Sequence, residues 1–152
     1  MKYPKTIFLL GLICGMLLVH YAPRPEQQFG YVEVVSIYDG DTFFVDLPGV
    51  RPIFGKRIGV RIKGIDTPEI RADKDLSKED QERVKEIARQ AKMFLVEKLR
   101  SAKVVEIKNV ERGKFFRISA DVYVDGVDVA ELLLKEGLAK EYDGTGKKPK
   151  WH

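Results

Sequence analysis

One long helical repeat interrupts a chain that is otherwise written as strands. Val84, Ile87, Ala88, Ala91, Phe94, Leu95 and Leu99 recur three or four residues apart, so about Lys78 to Arg100 reads as a single amphipathic helix. Ser77 followed by Asp80 is a variant of a helix-starting box, with Asp in place of the usual Glu or Gln. On both sides of this helix the apolar period is two. Tyr31 to Tyr38 reads as a strand, Asp39-Gly40 as a turn pair, and Thr42 to Leu47 as the returning strand. Pro48 to Gly55 is a loop. Arg57 to Ile65 alternates through Ile58, Val60, Ile62 and, past Gly64, Ile65, and Pro68 ends it. After the helix come Val104 to Val110 and Phe116 to Val124 as two more strands and Asp125-Gly126 as a turn. A second helix, Val129 to Glu136, is stopped by Gly137.

Three strands, a helix, two strands and a helix is the order of an OB-type barrel. The expected class is α+β, mainly β: a five-stranded OB-type barrel with two or three helices, preceded by an N-terminal apolar signal or anchor helix. Residues 31–142 form the folded unit in this reading, residues 23–30 a polar, proline-bearing linker, and residues 143–152 a glycine- and lysine-bearing tail. That tail is expected to be loose, with Trp151 as its one candidate anchor.

The start of the chain has a different character. Lys2 and Lys5 precede an apolar run of 13 residues from Ile7 to Val19, short of the ~20 that usually span a bilayer. Residues 1–22 read as a secretion signal or an uncleaved anchor, with membrane attachment through residues 6–22 in the second case. His20 and Pro23 flank Ala22 poorly for cleavage, and Ile13 is bulky for lipid attachment at Cys14. Either way the folded unit is expected outside the cytoplasm: secreted, periplasmic, or held on the outer face of the inner membrane.

Composition removes several kinds of chemistry. The 152 residues are 44% hydrophobic, enough for a core. Cys14 is the sole cysteine and lies in the apolar run, so the remainder has no disulfide framework and no zinc-cysteine site. The two histidines are His20 and the terminal His152, which argues against a Ser-His-Asp hydrolase. Beyond residue 22, 25 of the 27 basic residues face 23 acids. Affinity for nucleic acid would therefore have to come from where charges are placed.

The residues that carry chemistry gather in two short stretches and one outlier: Asp39-Gly-Asp41-Thr42, Arg61-Ile-Lys-Gly-Ile-Asp66-Thr67-Pro68-Glu69, and Arg117. Carboxylates without histidine or cysteine suit a hard cation. Asp41 and Asp66, with backbone carbonyls and water, would suffice for Ca²⁺. Glu69 could hold a water for attack on phosphorus, and Arg61 and Arg117 would clamp a phosphate diester. Taken singly, each residue has a plainer explanation: turn chemistry for Asp41, a solvated loop acid for Glu69, and an Arg117 paired with Glu106 or Glu111. Arg61 and Asp66 are also an odd number of residues apart, so a regular strand would put them on opposite faces. A bulge at Gly64 would restore one face.

These pieces resemble the staphylococcal nuclease (thermonuclease) family from about Val32 to Ala139. The resemblance rests on Asp39-Gly-Asp-Thr42, Val60-Arg-Ile-Lys-Gly-Ile-Asp-Thr-Pro-Glu69, Lys114-Phe-Phe-Arg-Ile-Ser-Ala-Asp-Val122 and Asp125-Gly-Val-Asp-Val-Ala-Glu-Leu-Leu-Leu-Lys-Glu-Gly-Leu-Ala139. It implies an OB barrel with Ca²⁺-dependent hydrolysis of DNA and RNA. By the resemblance, Asp41 and Asp66 match calcium carboxylates, Thr67 a carbonyl ligand and Asp39 a nearby acid. Glu69 matches the proposed general base, and Arg61 and Arg117 the phosphate arginines. The chain departs where the family often has Lys-Tyr-Gly-Arg. Here Lys114-Phe115-Phe116-Arg117 lacks the hydroxyl and puts a ring in place of glycine. The loop from Pro48 to Lys56 is also longer than in the shortest members.

The expectation is thus a monomeric, calcium-dependent nuclease acting on DNA or RNA. The competing expectations are a non-catalytic OB-type module that binds nucleic acid or protein, and a calcium-dependent surface protein.

Overall fold

The computed structural model describes residues 30–71 and 76–151. The apolar segment 1–22 and most of the linker lie outside the described residues. Strands β1 (Glu33–Ile37), β2 (Thr42–Asp46) and β3 (Ile58–Ile62) form an antiparallel meander. Strand β6 (Arg117–Val124) then joins β3 in parallel, and β5 (Val105–Arg112) pairs antiparallel with β6, giving the order β1-β2-β3-β6-β5. A bridge between Tyr31 and Glu106 ties the chain just before β1 to β5, at the other end of the sheet. The sheet therefore curls back on itself, consistent with an OB-type fold. Its five long strands are those read from the sequence.

Alternation explains which side of the sheet is dry. Phe43, Val45, Val60, Ile62, Ile107, Ala120 and Val122 point inward and are at most 1% exposed. Helix α2 (Lys78–Ser101) lays Val84, Ala88, Ala91, Leu95 and Leu99 toward this interior, every third or fourth residue as its period requires. Ser77 caps it as expected, its hydroxyl accepting from the Asp80 amide at 3.1 Å. Helix α3 (Val129–Lys135) is capped by Asp128 and buries Val129 and Leu133. Gly137, at φ 68°, ends that turn in the left-handed region.

Four details differ from the sequence reading. The loop after β2 contains a one-turn helix α1 (Pro52–Gly55), with proline at its first position. The expected strand from Arg57 to Ile65 is broken. β3 stops at Ile62, Lys63 and Gly64 turn with Gly64 at φ 76°, and a separate short strand β4 (Ile65–Asp66) begins. β4 pairs with β8 (Lys140–Glu141), outside the main sheet. A short strand β7 (Val127–Asp128) pairs with β6. The tail after β8 is not loose. The Tyr142 amide donates to the Gly64 carbonyl at 2.9 Å, and Trp151 returns to the same region.

Helix α2 also supports the turn between β1 and β2. A Cβ on Gly40 would lie 2.7 Å from the Ala91 Cβ and 2.8 Å from the Thr67 hydroxyl. Neither neighbour is the end of a flexible side chain, so this glycine is required for close packing. Gly40→Ala should lower stability by about 1–3 kcal/mol, as overpacking does. Adding Ala91→Gly should recover part of that loss in thermal melts. An unchanged melting temperature in the single variant would show that the turn is not clamped.

Candidate active site

The β2–β3 ladder places Arg61 opposite Thr42, beside Asp41. The Ile62 amide donates to the Asp41 carbonyl at 2.9 Å, which fixes the turn end against β3. The turn is tightened locally, because the Asp41 amide donates to Asp39 Oδ1 at 3.1 Å. Asp41, Thr42, Asp66 and Thr67 are the buried polar residues of the described chain, none more than 3% exposed.

Arg61 joins the two buried carboxylates. Its Nη1 donates to Asp41 Oδ1 at 3.0 Å. Its Nη2 lies 3.0 Å from Asp41 Oδ2 and 2.9 Å from Asp66 Oδ1. Asp41 accepts further from the Thr42 hydroxyl at 2.8 Å and the Thr67 amide at 3.3 Å. The phase problem between Arg61 and Asp66 is solved by the Lys63–Gly64 turn rather than by a bulge. The chain leaves the sheet and comes back, so strand parity does not carry across the break.

Burial pushes the Asp41 carboxyl up to about 6, and the Asp39 charge adds to it. Arg61, the Thr42 hydroxyl and the Thr67 amide pull the other way without cancelling the rise.

Arg117 opens β6 opposite Gly59, in parallel register with Arg61 opposite Ser119. Arg61 and Gly59 are two residues apart on β3, so Arg61 and Arg117 share one face of the sheet. Their common cleft encloses about 1120 Å³, and Glu69, Lys148, Tyr38, Ile70 and Phe115 also line it. Glu69 is exposed. Glu111 and Glu106 pair instead with Lys63 and Lys108, at 2.7 and 3.8 Å.

The sequence reading missed Lys148. Its Nζ lies 2.8 Å from Glu69 Oε1 and 3.2 Å from Asp66 Oδ1. Burial pulls this ammonium down, but its hydrogen bonds to Glu69 and Asp66 outweigh that and hold it above its ordinary range. Trp151 Nε1 lies 3.4 Å from Asp66 Oδ2. The only signal for this arrangement was a lone tryptophan behind a lysine-rich run.

Among the described residues no three His, Cys, Asp or Glu side chains gather into a cage. The donor pair still fits a hard divalent cation. Two buried carboxylates already turn oxygens toward a single cationic nitrogen, and ionised Asp41 is costly without a counter-charge.

The family model for staphylococcal nuclease homologues matches residues 59–151, and the chain belongs to this family. The match takes in Arg61, Asp66, Thr67, Glu69, Arg117 and the tail through Trp151, and begins after Asp41. No curated protein matches the chain significantly.

The raised Asp41 carboxyl has a signed consequence. Below its unfolded value of 3.8 it is protonated in both states and costs nothing. As pH rises through about 6 the folded protein must ionise it in place, and stability falls by roughly 3 kcal/mol. In chelator, Asp41→Asn should therefore melt higher than the parent protein at pH 8, with the difference vanishing near pH 4. A variant that melts lower at pH 8 would show that Arg61 fully compensates the burial.

Proposed function

We propose that this chain is a calcium-dependent nuclease that hydrolyses phosphodiester bonds of DNA or RNA. The observation that carries this reading is the shared face of Arg61 and Arg117. It puts two guanidinium groups in one cleft with Glu69, and one of the two already bridges Asp41 and Asp66. A diester phosphate entering there would be gripped by the planar forks of both arginines, which match its oxygens and offset the charge that grows on them. Glu69 would take a proton from a water as its oxygen bonds to phosphorus. The bond from phosphorus to the leaving oxygen breaks, and that oxygen takes a proton from solvent. Asp41 and Asp66 would hold Ca²⁺, with Thr67 the third ligand position implied by the family resemblance. When bound, the ion supplies Lewis-acid stabilisation of the phosphate oxygens.

The segment 1–22 supports placement of this activity outside the cytoplasm. Among the described residues no helix is long and apolar enough to cross a membrane. A second reading is a module that holds nucleic acid without cutting it. It is favoured by one observation, the ion pair of Lys148 with the proposed base.

With plasmid DNA, single-stranded DNA and RNA as substrates, Ca²⁺ should switch on cleavage and raise the melting temperature, and EGTA should reverse both. Glu69→Gln should slow turnover by ~10²–10⁴ with the fold intact. Asp41→Ala should abolish cleavage and the Ca²⁺-induced rise in melting temperature together. Binding of nucleic acid with no cleavage at any Ca²⁺ concentration would establish the second reading. Arg117→Lys tests the clamp separately: it keeps charge but loses the fork, and unchanged turnover would remove Arg117 from the site. Cell fractionation should find the protein in membrane, periplasm or medium, and a full-length cytoplasmic pool would refute that placement.

A further inference from the structure

The segment after β8 is built as a loop with both ends on the same short stretch of chain. It begins where the Tyr142 amide meets the Gly64 carbonyl at 2.9 Å. It ends where Trp151 Nε1 meets Asp66 Oδ2 at 3.4 Å. In between, Asp143 accepts from the Thr145 amide at 2.8 Å, and Gly144 and Gly146 take φ of 87° and 67°. The Tyr142 hydroxyl lies 3.4 Å from the Gly146 carbonyl. Lys140 closes the loop from below, its Nζ 4.8 Å from the Trp151 ring centroid and 2.5 Å from the Lys150 carbonyl. Local turns thus set the course of the loop, and an aromatic latch fixes its end.

This course carries Lys148 into the cleft, on the side of the acids. Its ammonium and Arg61 Nη2 approach the same Asp66 oxygen, at 3.2 and 2.9 Å. Lys148 also lines the cleft that holds Arg117, with 48% of its side chain still open to solvent. A phosphate gripped by Arg61 would therefore find a third cation adjacent to it, on a tether with a fixed end.

We propose that the segment 143–151 is a working part of the active site, in which Trp151 is the latch and Lys148 a third phosphate-binding cation. This rests on the nuclease reading for its catalytic consequence but not for its binding consequence. Lys148 holds Glu69 and Asp66 in the absence of substrate, and a phosphate with its metal would compete for both sides of that ion pair. An ammonium has three donors and no required plane, so it can turn from carboxylate to phosphate without moving the loop. Trp151 acts through Lys148 and is a positioning residue.

The test uses the full chain with Lys148→Met, Lys148→Arg and Trp151→Ala, each first shown to melt cooperatively. In EGTA, where cleavage is absent, affinity for a fluorescent oligothymidylate is measured by anisotropy across a salt series. Loss of one phosphate contact on a single strand should flatten the slope of log affinity against log salt by about 0.7. Lys148→Met and Trp151→Ala should both show this, and Lys148→Arg should keep the parent slope. In saturating Ca²⁺, Lys148→Met should lower kcat/KM at least about tenfold, with partial rescue by arginine. An unchanged salt slope in Lys148→Met would overturn the proposal whether or not the protein cleaves. So would undiminished cleavage at a lower Ca²⁺ requirement, because Lys148 would then merely compete with the metal. If the parent protein binds but never cuts, the nuclease reading fails, and the salt slopes alone decide the role of the tail.

Discussion

Two buried carboxylates and one arginine between them set the terms for the rest of this molecule. Asp41 and Asp66 are each 2% exposed, and a single guanidinium meets both. Removing the arginine would leave both buried carboxylates without a counter-charge, a loss that typically costs about 3–5 kcal/mol. The surroundings are arranged so that the guanidinium cannot miss. The β2–β3 ladder fixes Arg61 beside Asp41, and α2 packs against the Asp39–Asp41 turn through Gly40. The Lys63–Gly64 turn swings Asp66 back to the same guanidinium. The arrangement has a second use. A divalent cation at the two carboxylates would relieve Arg61 of its role as counter-ion and leave its fork free for phosphate.

The parts of this design that depend on local pattern were legible in the sequence. The period of α2, the Ser77 cap, the five long strands and the stop at Gly137 all follow from residues within a few positions of one another. Asp41, Arg61, Asp66, Glu69 and Arg117 stand out because they sit where extended segments end or turn, but singly each has a plainer explanation, and their proposed roles come from the family resemblance. What failed were features decided by distant partners. Residues 65 and 66 read as the end of a long strand because Ile65 continues the alternation. Their actual partner is β8, more than seventy residues away in the chain. Gly64 was recognised as the weak point, but a bulge and a turn look alike from composition. Glycine and lysine make the tail read as loose apart from Trp151, whereas its order comes from Gly64 and Asp66, far away in the sequence, and from Lys140 just before it.

Charge follows the same division between amount and placement. The whole chain carries a formal charge of +4, too little to coat a surface with phosphate-binding groups. The lining of the cleft concentrates what there is. Arg61, Lys63, Arg71, Arg112, Lys114, Arg117 and Lys148 face it, against Asp39, Glu69, Glu111 and Asp143. Low-dielectric walls focus such a local excess and attract anions at long range, even on a nearly neutral protein. Of the acids in the same lining, Glu69 is the one proposed to meet the attacking water, so both signs of charge are used within one cavity.

The β5–β6 hairpin carries the departure from the family pattern, and Arg117 follows it directly. Phe115 and Phe116 both take positive φ, at 57° and 61°, and both rings stand about 85% exposed. Left-handed backbone is costly for bulky side chains, of order 1–3 kcal/mol each, and neither ring recovers that cost by burial. The conformation instead delivers Arg117 to the first position of β6, in register with Gly59. Glycine weakens a strand, yet a Cβ there would come within 2.8 Å of Arg117 Cγ. The bare backbone of β3 thus gives the stem of Arg117 a track across the sheet toward Arg61. The Phe115 ring remains in the lining of the cleft, with the Arg117 guanidinium 5.7 Å from its centre. The hairpin tip is strained and exposed, and the arginine behind it is held on the face of the sheet where a phosphate would be gripped.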